Sequence, residues 1–117
     1  NHELYKYLSK MIRKLTLIAA CDANEEFDQM NKFWQTFENL EELDCTIEKR
    51  QSIRLILESL PRLSHLNIRL KTARIVKDFE IFTKEIAKKL GVTIFIESEA
   101  DFRVYLDVWI VRICLIY

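Results

Sequence analysis

The sequence has very little glycine and proline, with one of each in 117 residues. Sandwiches and barrels of short strands need these residues in many tight turns, so the low count argues against an all-β fold. Phosphate-binding loops need several glycines at fixed spacing, and this sequence cannot form one. The scarcity of both residues therefore excludes a glycine-rich nucleotide site and favours a fold that contains helices.

An excess of charge of one sign is also absent, because 18 basic residues balance 18 acidic ones. No overall field attracts nucleic acid or an anionic membrane, so we expect neither as a partner. The longest apolar stretch, residues 108–117, contains Arg112 and falls short of the roughly 20 apolar residues that span a membrane. With 50% hydrophobic and 31% charged residues, the composition is typical of one globular domain over residues 1–117.

The three cysteines, Cys21, Cys45 and Cys114, are odd in number and form no C-x-x-C pair. This usage is typical of reduced thiols in a cytoplasmic or nuclear protein, and the N-terminal residues lack the apolar core of a signal peptide. Because zinc sites need closely spaced cysteine or histidine ligands, we expect no metal ion and no other cofactor.

An apolar pattern of the form L-x-x-L-x-L recurs three times, with Ile or Cys at some of the apolar positions. Its central anchors are Leu15, Leu43 and Leu66, which lie roughly 25 residues apart. A fourth alternating segment follows at a similar distance. Alternation with a period of two predicts strands near residues 13–18, 41–47, 64–70 and 92–97.

Apolar residues at helical spacing separate these four strands. The predicted helices cover residues 3–11, 25–37, 50–60 and 78–90. Gly91 follows the last helix and is expected in the left-handed conformation that commonly ends a helix. Alternating helices and strands predict parallel strands joined by right-handed crossovers. A final alternating run near 102–110 is expected to turn back on 92–97 as an antiparallel strand that caps the sheet.

Two segments run from a helix end through a short link into a strand: Phe37-Glu-Asn-Leu40-Glu-Glu-Leu43 and Leu60-Pro-Arg-Leu63-Ser-His-Leu66. They resemble leucine-rich repeats of the intracellular strand–helix type, in particular the C-terminal repeats of divergent F-box/leucine-rich-repeat proteins. The resemblance implies an α/β fold. This fold would be a short right-handed solenoid with a parallel sheet of about four strands, helices on one side and a C-terminal antiparallel capping strand.

The asparagine that ends each repeat in the family is replaced here by Ala20, Glu48 and Lys71. A plain open α/β sheet is therefore the alternative to a solenoid. The resemblance implies a protein–protein interaction module, the substrate-recognition part of an F-box protein of a ubiquitin ligase. The F-box and the rest of a longer repeat protein would then lie outside this chain. No chemistry is expected on such a module, so we predict that the chain is not an enzyme.

Successive side chains of a strand point to opposite faces of the sheet. Leu43, Cys45, Leu66 and Ile68 are predicted to face the helices and form the core. The side chains between them are expected to line a free face that binds a protein partner, with Phe95 at its apolar centre. The predicted face consists of Lys14, Thr16, Glu42, Asp44, Thr46, His65, Asn67, Arg69, Thr93, Phe95 and Glu97.

Cys45 and His65 have the chemistry of a nucleophile and its base, but the predicted register separates them by the sheet, which rules out a dyad. The alternative function is a ligand or enzymatic site at the C-terminal ends of the strands, near Cys21 and Asp22, where open α/β sheets bind ligands. The two hypotheses differ in the sheet. A solenoid leaves one face bare, whereas a doubly wound sheet has helices on both faces.

Overall fold

The computed structural model describes residues 2–20, 27–99 and 104–112. Within these residues the chain alternates between helices and strands. In order, the elements are α1 (His2–Met11), β1 (Lys14–Ala20), α2 (Phe27–Thr36), β2 (Glu42–Thr46), α3 (Gln51–Ser59), β3 (His65–Arg69), α4 (Val76–Leu90), β4 (Thr93–Glu99) and β5 (Tyr105–Val111). A short 3-10 turn, Ala73–Ile75, leads into α4. The strands β1 to β4 fall on the four segments that show the period-two alternation.

The five strands form one mixed sheet in the order β1-β2-β3-β5-β4. β1, β2 and β3 are parallel neighbours, and β5 is antiparallel to both β3 and β4. The predicted antiparallel pairing of the last strand with residues 92–97 is confirmed. Its predicted position as a cap is wrong, because β5 lies inside the sheet and β4 is the edge strand. The fold is therefore α/β with a mixed sheet, in place of four neighbouring parallel strands.

The side chains that β5 turns toward the helices explain its internal position. Leu106 and Val108 are fully buried and Ile110 is nearly so, whereas Ile94 and Ile96 of β4 are only partly buried. Burying a large aliphatic side chain contributes about 1.5–3 kcal/mol, so the strand with the more apolar inner face gains more from an internal position.

The parallel strands β2 and β3 pair in the register that the sequence predicts. Leu43 lies opposite Leu66 and Cys45 lies opposite Ile68, and all four side chains are buried. Cys45 is therefore a core thiol, on the opposite face of the sheet from His65. The repeated L-x-x-L-x-L pattern specifies this register because a slip of one residue would turn every leucine to the other face.

Helices cover one face of this sheet, and the described residues place none on the other. Trp34 of α2, Ile56 of α3 and Phe79 of α4 are buried in one core with the apolar side chains of the strands. The molecule measures 43 × 41 × 24 Å. The short dimension fits one layer of helices, each about 10–12 Å across, packed on one sheet. None of the helices in the described ranges is long and apolar enough to cross a membrane.

Gly91 and Arg112 define the two ends of the β4–β5 hairpin. Gly91 ends α4 with a φ of 70°, as the sequence predicts, and β4 begins shortly after it. At the other end, Nη2 of Arg112 donates to the carbonyl oxygens of Leu57 at 3.2 Å and Leu60 at 3.0 Å. Burial lowers the pKa of Arg112, and the two carbonyl acceptors offset the cost of partly burying its charge. Arg112 thereby ties the end of β5 to the end of α3.

Candidate interaction face of the sheet

The open face of the sheet carries side chains from all five strands, arranged in rows by the strand register. The first row contains Lys14, Glu42, His65, Trp109 and Phe95. Lys14 Nζ lies 3.5 Å from Glu42 Oε2. Trp109 and Phe95 are 45% and 62% exposed. The row therefore runs from an ion pair at one edge of the sheet to exposed aromatic rings at the other.

The second row lies next to the first and is rich in carboxylates. It contains Thr16, Asp44, Asn67, Asp107 and Glu97 in the order of the strands. Asp107 and Glu97 are direct partners across β5 and β4. Like charges placed directly opposite one another in an antiparallel pair are destabilising. The two hairpin strands therefore hold a local concentration of negative charge on this face.

Asp107 is the centre of a small polar network. Its Oδ1 lies 2.7 Å from Nε2 of His65 and 2.7 Å from Nδ2 of Asn67. Because an ionised carboxylate only accepts hydrogen bonds, both nitrogens donate, and Nε2 of His65 must carry a proton. The imidazole of His65 also stacks on the indole of Trp109, with ring centroids 3.9 Å apart and planes at 9°. One carboxylate thus orients an amide, an imidazole and, through the imidazole, an exposed indole.

Arg69 occupies the third row, opposite Thr46 on β2 and Tyr105 on β5. Its Nη2 donates to the backbone oxygen of Leu17 at 2.8 Å, so the side chain reaches across β2 to β1. Its Nε lies 3.4 Å from Oδ1 of Asp44, which makes an ion pair without hydrogen-bond geometry. These contacts hold the guanidinium against the sheet and neutralise the carboxylate of Asp44.

Two concave regions lie side by side on this face. One has a volume of about 410 Å³ and lies over His65, Asp107 and Trp109. The other has a volume of about 460 Å³ and lies over Arg69 and Tyr105. Asp107 lines both of them. The polar network is therefore at the boundary between two depressions that a partner could fill.

The structure brings most of the predicted face residues together, but not all in the predicted arrangement. Thr93, Phe95 and Glu97 lie on the edge strand, and β5 separates them from Asn67 and Arg69 of β3. The expectation that Phe95 forms the apolar centre of the face is wrong, because β4 is at the edge of the sheet. The position beside β3 is taken by β5.

Four residues of the face were missed by sequence reasoning: Tyr105, Asp107, Trp109 and Val111. The first three point away from the helices because they pair with Arg69, Asn67 and His65 across β3 and β5, and Val111 lies opposite Thr93 of β4. The alternation in residues 105–110 was visible in the sequence, and extending the hairpin register would have placed these side chains on the same face as Phe95 and Glu97.

The structure keeps the two candidate catalytic residues, Cys45 and His65, on opposite faces of the sheet. Cys45 is buried on the helix side of the sheet, so it cannot act with His65. The His65 side chain is bonded to the carboxylate of Asp107, with Nε2 2.7 Å from Oδ1. The alternative site near Cys21 and Asp22 lies outside the described residues.

Across residues 2–20, 27–99 and 104–112, no three His, Cys, Asp or Glu side chains are grouped so that they could hold a metal ion. Comparisons with protein-family models, curated proteins and solved structures find no match. The function therefore has to be inferred from the open face itself: its exposed aromatic rings, its fixed polar groups and its charges.

Proposed function

We propose that this chain is a protein–protein interaction module that binds its partner on the open face of the sheet. One observation carries the proposal: a face that no described helix covers presents two exposed aromatic side chains, Trp109 and Phe95, beside a fixed polar network. Aromatic anchors surrounded by polar groups are the features that dominate the energetics of protein interfaces.

The orientation of the side chains supports binding as the role of this face. His65 and Asn67 are held by Asp107, and the stacked imidazole restricts the indole of Trp109. Ordering a mobile side chain on association costs about 0.5–1.5 kcal/mol, and a side chain that is already ordered avoids that cost. A preformed network is therefore favourable for recognition.

A finer proposal follows from the resemblance to leucine-rich repeats. In it, β1 to β3 with their helices form a short right-handed solenoid, and the chain is the substrate-recognition part of an F-box protein in the cytoplasm or nucleus. Three parallel strands in adjacent positions, with helices on one side, support it. The insertion of β5 before β4 departs from a regular repeat stack. A partner bound on the open face should then accumulate when the proteasome is inhibited, and an unchanged level would contradict the ubiquitin-ligase role.

The main test selects binders from a displayed library of short random peptides, with the intact chain as the target. We expect selected peptides to lose about tenfold or more in affinity for Trp109→Ala, because truncating an aromatic anchor removes about 2 kcal/mol or more. Ile81→Ala is the matched control, since Ile81 is an apolar residue of α4 that is 50% exposed on the helix layer. Its affinity for the peptides should equal that of the unaltered chain.

Backbone amide shifts in NMR spectra locate the bound peptides. Shifts concentrated on β3, β5 and β4 support the proposal. Peptides that bind Trp109→Ala and Phe95→Ala with full affinity contradict it. Amide shifts confined to the helices contradict it as well, and so does a library that yields no binder. Circular dichroism of each variant shows whether the fold is intact before affinities are compared.

A further inference from the structure

We propose that the partner presents a positively charged segment, whose arginine side chain docks on the β5–β4 hairpin beside Trp109, Phe95, Asp107 and Glu97. This inference rests on the proposed function, because it names the chemistry of the protein that the open face binds. It follows from the distribution of charge and of aromatic rings on that face.

The charge balance of the face favours a cationic partner. Its two cations in the described residues, Lys14 and Arg69, already lie 3.5 Å and 3.4 Å from the carboxylates of β2. The carboxylates of Asp107 and Glu97 have no lysine or arginine beside them among the described residues. Asp107 is hydrogen-bonded by His65 and Asn67, but the hairpin side of the face keeps two carboxylates that no described lysine or arginine pairs with.

These two carboxylates are direct cross-strand partners. Residues opposite one another in an antiparallel pair have Cβ atoms about 4.5–5.5 Å apart, and like charges at that distance are destabilising. Both hydrogen bonds to Asp107 reach Oδ1. A cation that binds between the second oxygen of Asp107 and the carboxylate of Glu97 would convert this repulsion into attraction.

The aromatic rings lie next to the carboxylates on the same face. Phe95 pairs with Trp109 across the hairpin, and the carboxylate pair follows two residues along each strand. A cation over an aromatic ring gains about 0.5–1 kcal/mol at an exposed site, and tryptophan is the best such ring. His65 covers part of the indole and fixes its plane, while 45% of the Trp109 residue stays accessible to a partner.

The combination of features selects arginine over lysine. A guanidinium is planar, stacks on aromatic rings and donates in a fork that matches carboxylates, whereas an ammonium is a compact and strongly hydrated charge. An aromatic pair beside a carboxylate pair satisfies both the stacking and the forked hydrogen bonds. The depression of about 410 Å³ next to Asp107 and Trp109 leaves room for side chains that flank the arginine.

The probe is a set of three pools of short, N-acetylated and C-amidated peptides. Each pool has arginine, citrulline or glutamate at one central position and random residues elsewhere. Citrulline has nearly the shape of arginine without its charge, so the first two pools isolate the effect of the cation. Fluorescence reports binding at Trp109, because Trp34 is only 1% exposed. We expect the arginine pool to bind the intact chain about tenfold more tightly than the citrulline pool.

Charge-removing variants test whether the two carboxylates cause that preference. Glu97→Gln removes one charge without breaking a hydrogen bond within the described residues, and Asp107→Asn removes the other. Each should reduce the preference for arginine to about twofold. Glu85→Gln is the matched control, because it makes the same change of net charge at an exposed position of α4. It should leave the preference for arginine intact.

The outcomes separate this inference from the proposed function. If the citrulline or glutamate pool binds as tightly as the arginine pool, with amide shifts on β5 and β4, the basic partner is overturned and the binding face stands. An arginine preference that survives both Glu97→Gln and Asp107→Asn also overturns the basic partner. If no pool binds, or if the shifts lie on the helices, the proposed function fails together with this inference.

Discussion

The two halves of the sheet differ in how their charges are used. In the parallel half, β1 to β3, the cations Lys14 and Arg69 are each paired with a carboxylate of β2. In the hairpin half, β5 and β4, the described residues place no lysine or arginine beside the carboxylates of Asp107 and Glu97. The carboxylates of β2 in the parallel half are thus paired with cations, whereas those of Asp107 and Glu97 have no described lysine or arginine beside them.

The central strands and the edge strand β4 differ in how deeply their inner side chains are packed. Leu66 of β3 is fully buried, whereas Ile94 and Ile96 of the edge strand are only partly buried. The strand with the weaker packing also presents Phe95, which is 62% exposed. This contrast indicates that the central strands β2, β3 and β5 supply most of the stability, and that β4 contributes less of it.

The largest expected effect comes from a cavity in the parallel half. Leu66→Ala should lower the free energy of unfolding by about 2–5 kcal/mol, because it removes a fully buried side chain from the centre of the sheet. Ile94→Ala in the hairpin half should cost only about 1–2 kcal/mol, since a half-buried side chain loses less contact. Urea denaturation measures both values.

Leu66→Val leaves a smaller cavity and should give an intermediate loss, which serves as a graded control. Equal losses for Leu66→Ala and Ile94→Ala would remove the contrast between the halves, because they would mean that the edge strand is packed as tightly as the centre.

The sequence was sufficient to predict the parallel half in detail. The repeated apolar pattern specified β1, β2 and β3, and it aligned Leu43 with Leu66 and Cys45 with Ile68. This succeeded because alternation fixes which side chains face inward, and a shift by one residue would expose the leucines. The ends of the helices were less exact, as is usual for element boundaries.

The position of the hairpin could not be predicted in the same way. A short connection specifies that β4 and β5 pair with one another, but it does not specify which of them joins β3. The inward positions of the two strands carried a usable signal. In β5 they include Leu106 and Val108, which are fully buried, whereas in β4 they include Ile94 and Ile96, which are only partly buried. The more apolar strand lies inside the sheet, consistent with the larger gain from burying it.

The candidate site was predicted in part for the same reason. The face residues of β1 to β3, such as His65 and Arg69, followed from alternation alone. The contacts from His65 to Asp107 and to Trp109 did not, because they join strands far apart in the sequence and depend on β5 lying beside β3. Long-range side-chain contacts of this kind become predictable only once the order of the strands is known.

A smaller effect is expected at Gly91, which joins α4 to the hairpin half. Its φ of 70° lies in the left-handed region, and an added Cβ would meet no atom within 4 Å. Gly91→Ala should therefore cost about 1–2 kcal/mol, entirely from backbone strain. Gly91→Asn should cost less, because asparagine tolerates this conformation better. Urea denaturation of both variants checks the order, and equal losses would assign the effect to something other than the backbone.

The smallest effect on the free energy of unfolding is expected at Arg112, which connects the end of β5 to the end of α3. Arg112→Met keeps an apolar stem of similar length but removes the hydrogen bonds to the carbonyls of Leu57 and Leu60. The free energy of unfolding should fall by about 1 kcal/mol, because a hydrogen bond from a partly exposed charged group contributes little beyond the cost of burying that group. Arg62→Met at an exposed position is the control and should have almost no effect on the free energy of unfolding.

The pH dependence of the stability of Arg112→Met follows from the direction in which burial shifts the pKa of Arg112. Burial lowers the pKa of Arg112, so its charged form is less favoured in the folded chain than in the unfolded one. Stability from this group would rise only as the pH approached the pKa of the folded state, where the burial cost of the charge disappears. Arginine stays protonated at ordinary pH, so the difference between Arg112→Met and the unaltered chain should be the same at about pH 6 and pH 8. A difference that changes across this range would mean that another titrating group, and not the guanidinium, connects the two halves.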